Sequence, residues 1–430
     1  MGFSSFYSGL SGLQAHAARL NVIGNNLANV NTIGFKGGRM TFQDIYSQTI
    51  GGRGMQVGLG VQIAGIDQLF SQGSLQTTGV VSDMALQGNG LFVLRDPNGT
   101  AMYTRAGSFQ FDKDGFLVTP SGTVVQGFTT IGPNGQIIAT GTPTDIQIPT
   151  GLTAPPRTTT NFTVVTNLNA NARVDDPATA SFNEAETFST TVPVYDSLGG
   201  RHDVNTTFTP VDTNADGTLD QWTYDITVDG GQVTGGTAGT PFSLASGVVQ
   251  FDAQGQPTAP AGNVTFNIPA WSNGAAGQAV TWNVVASSGA ANLTGFVGTS
   301  ATSSVLQDGF GVGQLSFLTV DSGGLMAGVF TNGETTPLAQ VALATFNSTN
   351  GLIAVGQNNY VESQSSGPPA VGVANTGGRG ALVSGALELS NVDITSEFTD
   401  LIVTERGFQA NSRIITTTDQ IMQEALNLKR

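Results

Sequence analysis

The first forty residues, MGFSSFYSGLSGLQAHAARLNVIGNNLANVNTIGFKGGRM, carry an apolar stripe that needs something to pack against. Phe3, Phe6, Leu10, Leu13, Ala17, Leu20, Gly24 and Leu27 recur at alternating steps of three and four, the a/d spacing of a coiled-coil face. The other faces carry Gln14, His16, Arg19 and Asn21, which fits a helix with one sticky edge better than a buried helix or a membrane span. The spacing predicts one helix from Ser4 or Ser5 to somewhere between Ala28 and Asn31. Gly9, Gly12 and Gly24 each cost about 1 kcal/mol of helix propensity against Ala, so the segment is expected to order only on packing. Gly24 reads either as simple tolerance or as the close approach of a neighbouring backbone.

The other end of the chain repeats the pattern. Ile394, Leu401, Phe408, Ile415 and Met422 recur every seven residues, with Phe398, Glu405, Ser412, Asp419 and Leu426 at the intermediate positions. Lys429 and Arg430 close this second helix with the positive charge that a helix C-terminus favours. Two lone amphipathic helices can satisfy each other, or copies of themselves in neighbouring molecules, which points to self-assembly.

Between the helices the chain reads as β-structure. Residues 41–70 mix short apolar pieces with Gly-rich breaks, a linker with strands. Turns at Gly88-Asn89-Gly90, Asp96-Pro97-Asn98-Gly99, Asp112-Lys113-Asp114-Gly115 and Pro120-Ser121-Gly122 separate the apolar runs Leu91–Leu94, Met102–Thr104, Phe116–Val118 and Val124–Phe128. A Pro/Thr hinge at Ala154–Thr160 opens a second β-rich region, where Trp222, Tyr224, Ile226 and Val228 alternate with polar residues, as do Val264, Phe266 and Ile268. From Gly309 to Val361 the style of the first β-region returns. The expected fold is therefore α+β, mainly β. Residues 1–40 and 385–430 form an inner coiled-coil domain, 41–70 and 362–384 connect it, 71–157 and 305–361 form a middle β-domain, and 158–304 are an inserted outer β-domain.

Composition narrows the function. Only 10% of the 430 residues are charged, against roughly a quarter in ordinary soluble proteins, and Gly reaches 58. A formal charge of −15 repels nucleic acid and anionic headgroups, so neither is an expected partner. No cysteine is present, which excludes disulfides and thiol chemistry. No apolar run has the roughly 18 residues of a transmembrane helix, and the N-terminus lacks the pattern of a cleaved secretory signal, so neither membrane insertion nor signal cleavage is expected.

The segment NNLANVNTIGFKG, with Asn25, Asn26, Ala28, Asn29, Thr32, Gly34, Phe35 and Lys36, closely resembles the N-terminal signature of the bacterial flagellar rod and hook proteins. The resemblance continues through Gly58–Leu94, Tyr103–Phe128 and Ser384–Lys429. Within that axial family the length and the large insertion, opening with PVYDSLGGRHDVNTTF at Pro193–Phe208, are similar to those of the hook type. The resemblance implies helices at the wall of a central channel, β-domains stacked outward, and a short curved tube that carries torque from rod to filament. It also implies export through the flagellar type III apparatus to an extracellular site. The partners it implies are the chain itself, a distal rod protein, a hook cap protein and hook–filament junction proteins. A long rod subunit shares the termini and the first β-domain. A secreted adhesin would leave both helices unexplained.

The chemistry-bearing residues give catalysis little support, and neither an enzyme nor a cofactor is expected. The two histidines, His16 and His202, read as solvated or interface residues, and no metalloprotease, nucleophile-elbow or phosphate-loop motif occurs. A glycosidase would need two convergent carboxylates, and the adjacent Asp175 and Asp176 read as a solvated turn. Asp212, Asn214, Asp216, Gly217 and Asp220 match much of a calcium loop, but its twelfth position is Thr223 where a bidentate Glu belongs. The same string is an ordinary Asp/Gly hairpin turn.

Overall fold

The computed structural model describes residues 2–45, 48–50, 55–149, 151–174, 185–214, 216, 218–286 and 289–427; Lys429, Arg430, Gly217 and the Asp175–Asp176 pair lie outside them. The chain divides into two compact units, residues 1–150, 317–328 and 336–430 in one, and residues 151–316 and 329–335 in the other. The expected insertion at 158–304 falls wholly inside the second unit. The expected coiled-coil parts lie in the first, with most of the expected middle β-domain.

The first unit opens with helix α1, Gly2–Ala28, and closes with helix α2, Ile394–Asn427. α1 lies beside an antiparallel strand pair, Gly38–Asp44 with Val61–Gln68, so parts of the expected linker form a ribbon tied to α1 by a hydrogen bond from the Val61 amide to Ser11 Oγ. Beyond it the turns fall where Gly and Asn dictate. Strands Leu91–Arg95 and Ala101–Thr104 form a hairpin, and Val124–Phe128 pairs with Leu91–Arg95 on one side and with Thr335–Val341 on the other. Leu91, Val93, Tyr103, Phe128, Ala342, Ala344 and Tyr360 pack into one core cluster. The chain returning to α2 is stitched back onto the start of the β-region: Ala381–Ser384 pairs with Met84–Gln87, and Ala386–Glu388 with Leu75–Thr77.

The second unit is built from two sheets. One is an antiparallel meander of Phe188–Tyr195, Arg201–Val211, Gln221–Asp229, Pro241–Phe251 and Pro257–Ala259. The other joins Val264–Ile268, Gln278–Trp282, Asn161–Asn167, Leu293–Thr294 and Ala301–Gln307, with Asn161–Asn167 parallel to two of its neighbours and antiparallel to Ala301–Gln307. Trp222, Tyr224, Ile226 and Val228 are all buried, as their alternation requires, and Trp222, Trp271 and Trp282 share their core cluster with Phe162 and Phe208. Among the described residues no helix is long and apolar enough to cross a membrane.

Candidate assembly interface

α1 and α2 run antiparallel. A side chain on Gly9 would meet Ile414 and Ile415, one on Gly12 would meet Asn411, and one on Gly407 would meet the His16 ring. Arg19 reaches Asp400 at 3.2 Å and Asn26 donates to Glu397 Oε1 at 2.9 Å. The α1 face toward α2 is thus Gly9, Gly12, His16, Arg19 and Asn26, with buried Ala15 and Ile23 beside it. This face lies about 100° around the helix from the stripe read in the sequence. Phe6, Leu10, Leu13, Ala17, Leu20 and Leu27 are half-buried on the flank, and Gly24 is exposed with nothing within 4 Å of where its Cβ would be. The close-approach glycines are therefore Gly9, Gly12 and Gly407, which let the two backbones come together where any side chain would hold them apart.

α2 corrects the heptads by one position. Leu401, Phe408, Ile415 and Met422 are half-buried on the half of α2 that faces α1. The positions that complete the inward seam are Glu397, Thr404, Asn411 and Thr418, whereas Ile394, Phe398 and Leu426 are 47%, 48% and 69% exposed. Of the intermediate residues expected in the seam, Glu405 and Asp419 are exposed as well, and Ser412 is half-buried. Among the described side chains of this 34-residue helix only Thr404 and Thr418 are fully buried. Two apolar ridges are left outside the helix pair, Ile394–Phe398–Ile402 on one flank and Val403–Ile414–Ile421 on the other.

The Asn/Gly motif after α1 anchors the helix pair to the β-structure. Asn29 donates to the Asn25 carbonyl and accepts from Thr32 Oγ1, which winds the chain out of the helix. Asn26 is buried; it accepts from the Gly38 amide and donates to the Gly38 carbonyl. Gly34 has φ +69° and lies where a Cβ would strike the backbone of Arg105 and Ala106, so only Gly fits. Ala28 is exposed and Phe35 half-buried.

The motif residue Lys36 is buried. Its side chain is 1% exposed, and its Nζ donates to Glu388 Oε1 and to the Ser71 carbonyl, both at 2.7 Å. Glu388 also accepts from Arg105 Nε at 2.5 Å and from the Gly73 amide at 2.8 Å. The Arg105 guanidinium completes its bonds on the Gly90, Leu86 and Gly88 carbonyls. Burial pulls the Lys36 pKa below its ordinary value despite Glu388. Burial alone would raise the Glu388 pKa, but Arg105, Lys36 and the Gly73 amide hold the carboxyl below its usual range. Sequence reading picked out Lys36 as a motif residue and missed Arg105 and Glu388, because nothing local marks partners 69 and 352 residues away.

The remaining candidates fall elsewhere. In the second unit the described residues of the Asp212–Asp220 string lie between Arg201–Val211 and Gln221–Asp229, where Asp220 accepts from the Thr213 amide and hydroxyl, and Asp216 from the Thr218 amide. Among the described residues no group of three or more His, Asp or Glu is placed to hold a metal. His202 is no solvated residue: it is buried, stacked on Trp271 with ring centroids 3.5 Å apart, and bonded to Asp196 and Gln232.

Comparison with known proteins supplies the class. Family models match residues 6–36 (flagella basal body rod protein), 85–167 (flagellar hook protein FlgE/F/G D1 domain), 167–310 (flagellar basal body protein FlaE D2 domain) and 383–428 (flagellar basal body rod FlgEFG protein C-terminal). With both ends of the chain joined in one helix pair, these matches define an axial protein of the bacterial flagellum. The chain is 38% identical to the flagellar hook protein FlgE of Treponema pallidum over 99% of both chains. It is 34% identical to that of Escherichia coli over 99% of this chain and 100% of that one. The rod protein FlgG of Bacillus subtilis is 28% identical over 99% of both. A crystal structure of Helicobacter pylori hook protein FlgE2 shares the fold, with TM-score 0.50 and 16% identity over 71% of this chain and 98% of that one. The chain belongs to the flagellar hook protein family.

Proposed function

We propose that this hook subunit polymerises through the outer flanks of α1 and α2, building a tube whose wall is helical and whose β-structure lies outside. The observation that carries the reading is α2: a helix of 34 residues in which, among the described side chains, two are buried, both threonine, and two apolar ridges are uncovered. A helix of this kind takes most of its stability from tertiary packing, and one partner with a largely polar seam leaves most of its apolar surface in water. Covering the ridges with neighbouring copies supplies what the single chain lacks. The half-buried Phe6, Leu10, Leu13, Ala17, Leu20 and Leu27 give α1 a matching outer flank, with exposed Gly24 among them.

In this reading the tube is the curved joint between rod and filament, its work is mechanical, and its neighbours are a distal rod protein, a cap protein and junction proteins. The chain reaches its site through the flagellar type III export apparatus and acts there without catalysis or cofactor. Weak intrinsic helicity at both ends suits passage of an unfolded chain. The β-surfaces, poor in charge and rich in Thr, Asn and Gly, form shallow contacts that re-register as the tube bends. Electron microscopy of a strain lacking the chain tests the assignment. Basal bodies with complete rods and no curved extension are expected; loss of the rods would overturn it in favour of a rod subunit.

A further inference from the structure

The charge count of the cluster around Glu388 is unequal: two cations, Lys36 and Arg105, meet one carboxylate, and all three side chains are at most 5% exposed. Backbone carbonyls of Ser71, Leu86, Gly88 and Gly90 accept further N–H groups from the two cations but bring no charge. Three separate parts of the chain meet here: the loop after α1, the hairpin region 71–105 and the strand leading into α2. The Gly34 amide also donates to the Glu388 carbonyl at 2.8 Å, and Asn391 joins the same parts by accepting from the Gly37 amide and donating to the Ser71 carbonyl.

We infer that Glu388 is a folding latch, whose carboxylate permits burial of Lys36 and Arg105, so that the loop after α1 and the strand before α2 dock together or not at all. Without Glu388 the site would bury two uncompensated cations, whereas without Lys36 it keeps a neutral Arg105–Glu388 pair. Removing one partner of a buried ion pair is far costlier than replacing the surplus charge. The helix pair, with its uncovered apolar ridges, is thereby completed only in a chain that has both ends in place.

The arrangement predicts an asymmetry that simple loss of packing does not. Hydrogen–deuterium exchange is measured on the full-length chain as wild type, Lys36→Met, Glu388→Gln and the double variant, with residues 185–268 of the second unit as the internal reference for a folded protein. Glu388→Gln is expected to speed exchange about a hundredfold both in residues 29–40 and in residues 384–391, with the reference unchanged. Lys36→Met alone is expected to change it less than about tenfold, and the double variant to recover at least half of the lost protection on a logarithmic scale. Opening confined to residues 384–391, additive effects of the two substitutions, or collapse of the reference segment would overturn the latch. The readout is folding of the subunit, so its failure would leave the polymerisation reading standing.

Discussion

His16 sits where α1 crosses α2, its ring against Gly407 and 6.3 Å from the Phe42 ring, with Nδ1 buried and unbonded. The charged group acting on it is Arg19 on its own helix, which is itself held by Asp400 of α2. Burial first, then Arg19, pushes the His16 pKa below that of an ordinary histidine. The folded ring therefore takes up a proton only at a lower pH than the unfolded chain, which titrates near 6.5, so as the pH falls below that value the unfolded chain binds the proton first. The stability this site contributes is complete above about pH 6.5 and is lost as the pH falls. Thermal melts at about pH 7.5 and about pH 5.5 should show a drop in the melting temperature of the helix pair that is smaller in His16→Gln; equal drops would contradict the assignment. Asp196 in the second unit makes the opposite case. It is fully buried and accepts from His202, Asn273 and the Leu198 and Gly200 amides. Asp196→Ala should cost the second unit roughly 3 kcal/mol in denaturant unfolding, because four donors lose their acceptor.

At the scale of the helices, glycine separates contact from tolerance. Gly24→Ala, at an exposed helical position with nothing nearby, is expected to stabilise α1 by about 1 kcal/mol, seen as more helical circular dichroism. Gly407→Ala gains the same propensity but drives a methyl to within 2.7 Å of the His16 ring, so it is expected to lower the melting temperature of the pair. Both helices were legible in the sequence, and of the sevenfold row Leu401, Phe408, Ile415 and Met422 are half-buried while Ile394 is exposed. The faces were not. Hydrophobic spacing gathers the apolar residues into one stripe, and α2 carries three, a polar-lined seam toward α1 and two ridges outside. A helix that serves several partners cannot declare from spacing which apolar residue serves which. Thr404, Asn411 and Thr418, inward and polar, were hidden for the same reason, and the Lys36–Glu388–Arg105 cluster was hidden because its members meet only through the fold.

For the whole molecule the β-regions were the easier reading. The turns at Asn98-Gly99 and Pro120-Ser121-Gly122 and the alternation from Trp222 to Val228 lie as local chemistry dictates, because a turn needs its residue and a half-buried strand its period. What local chemistry could not give is the return of the chain, with Ala381–Ser384 and Ala386–Glu388 pairing to strands some 300 residues earlier. That return brings the two terminal helices together in one unit, with the α1 flank half-buried and the two ridges of α2 exposed. The most direct test of polymerisation through those flanks is a charged substitution on a ridge that the folded subunit does not use. Purified Phe398→Asp/Ile402→Asp protein should keep the wild-type melting profile as a monomer, and in cells it should leave basal bodies ending at the rod. Curved extensions of normal length built from that variant would show that the subunits join through another surface.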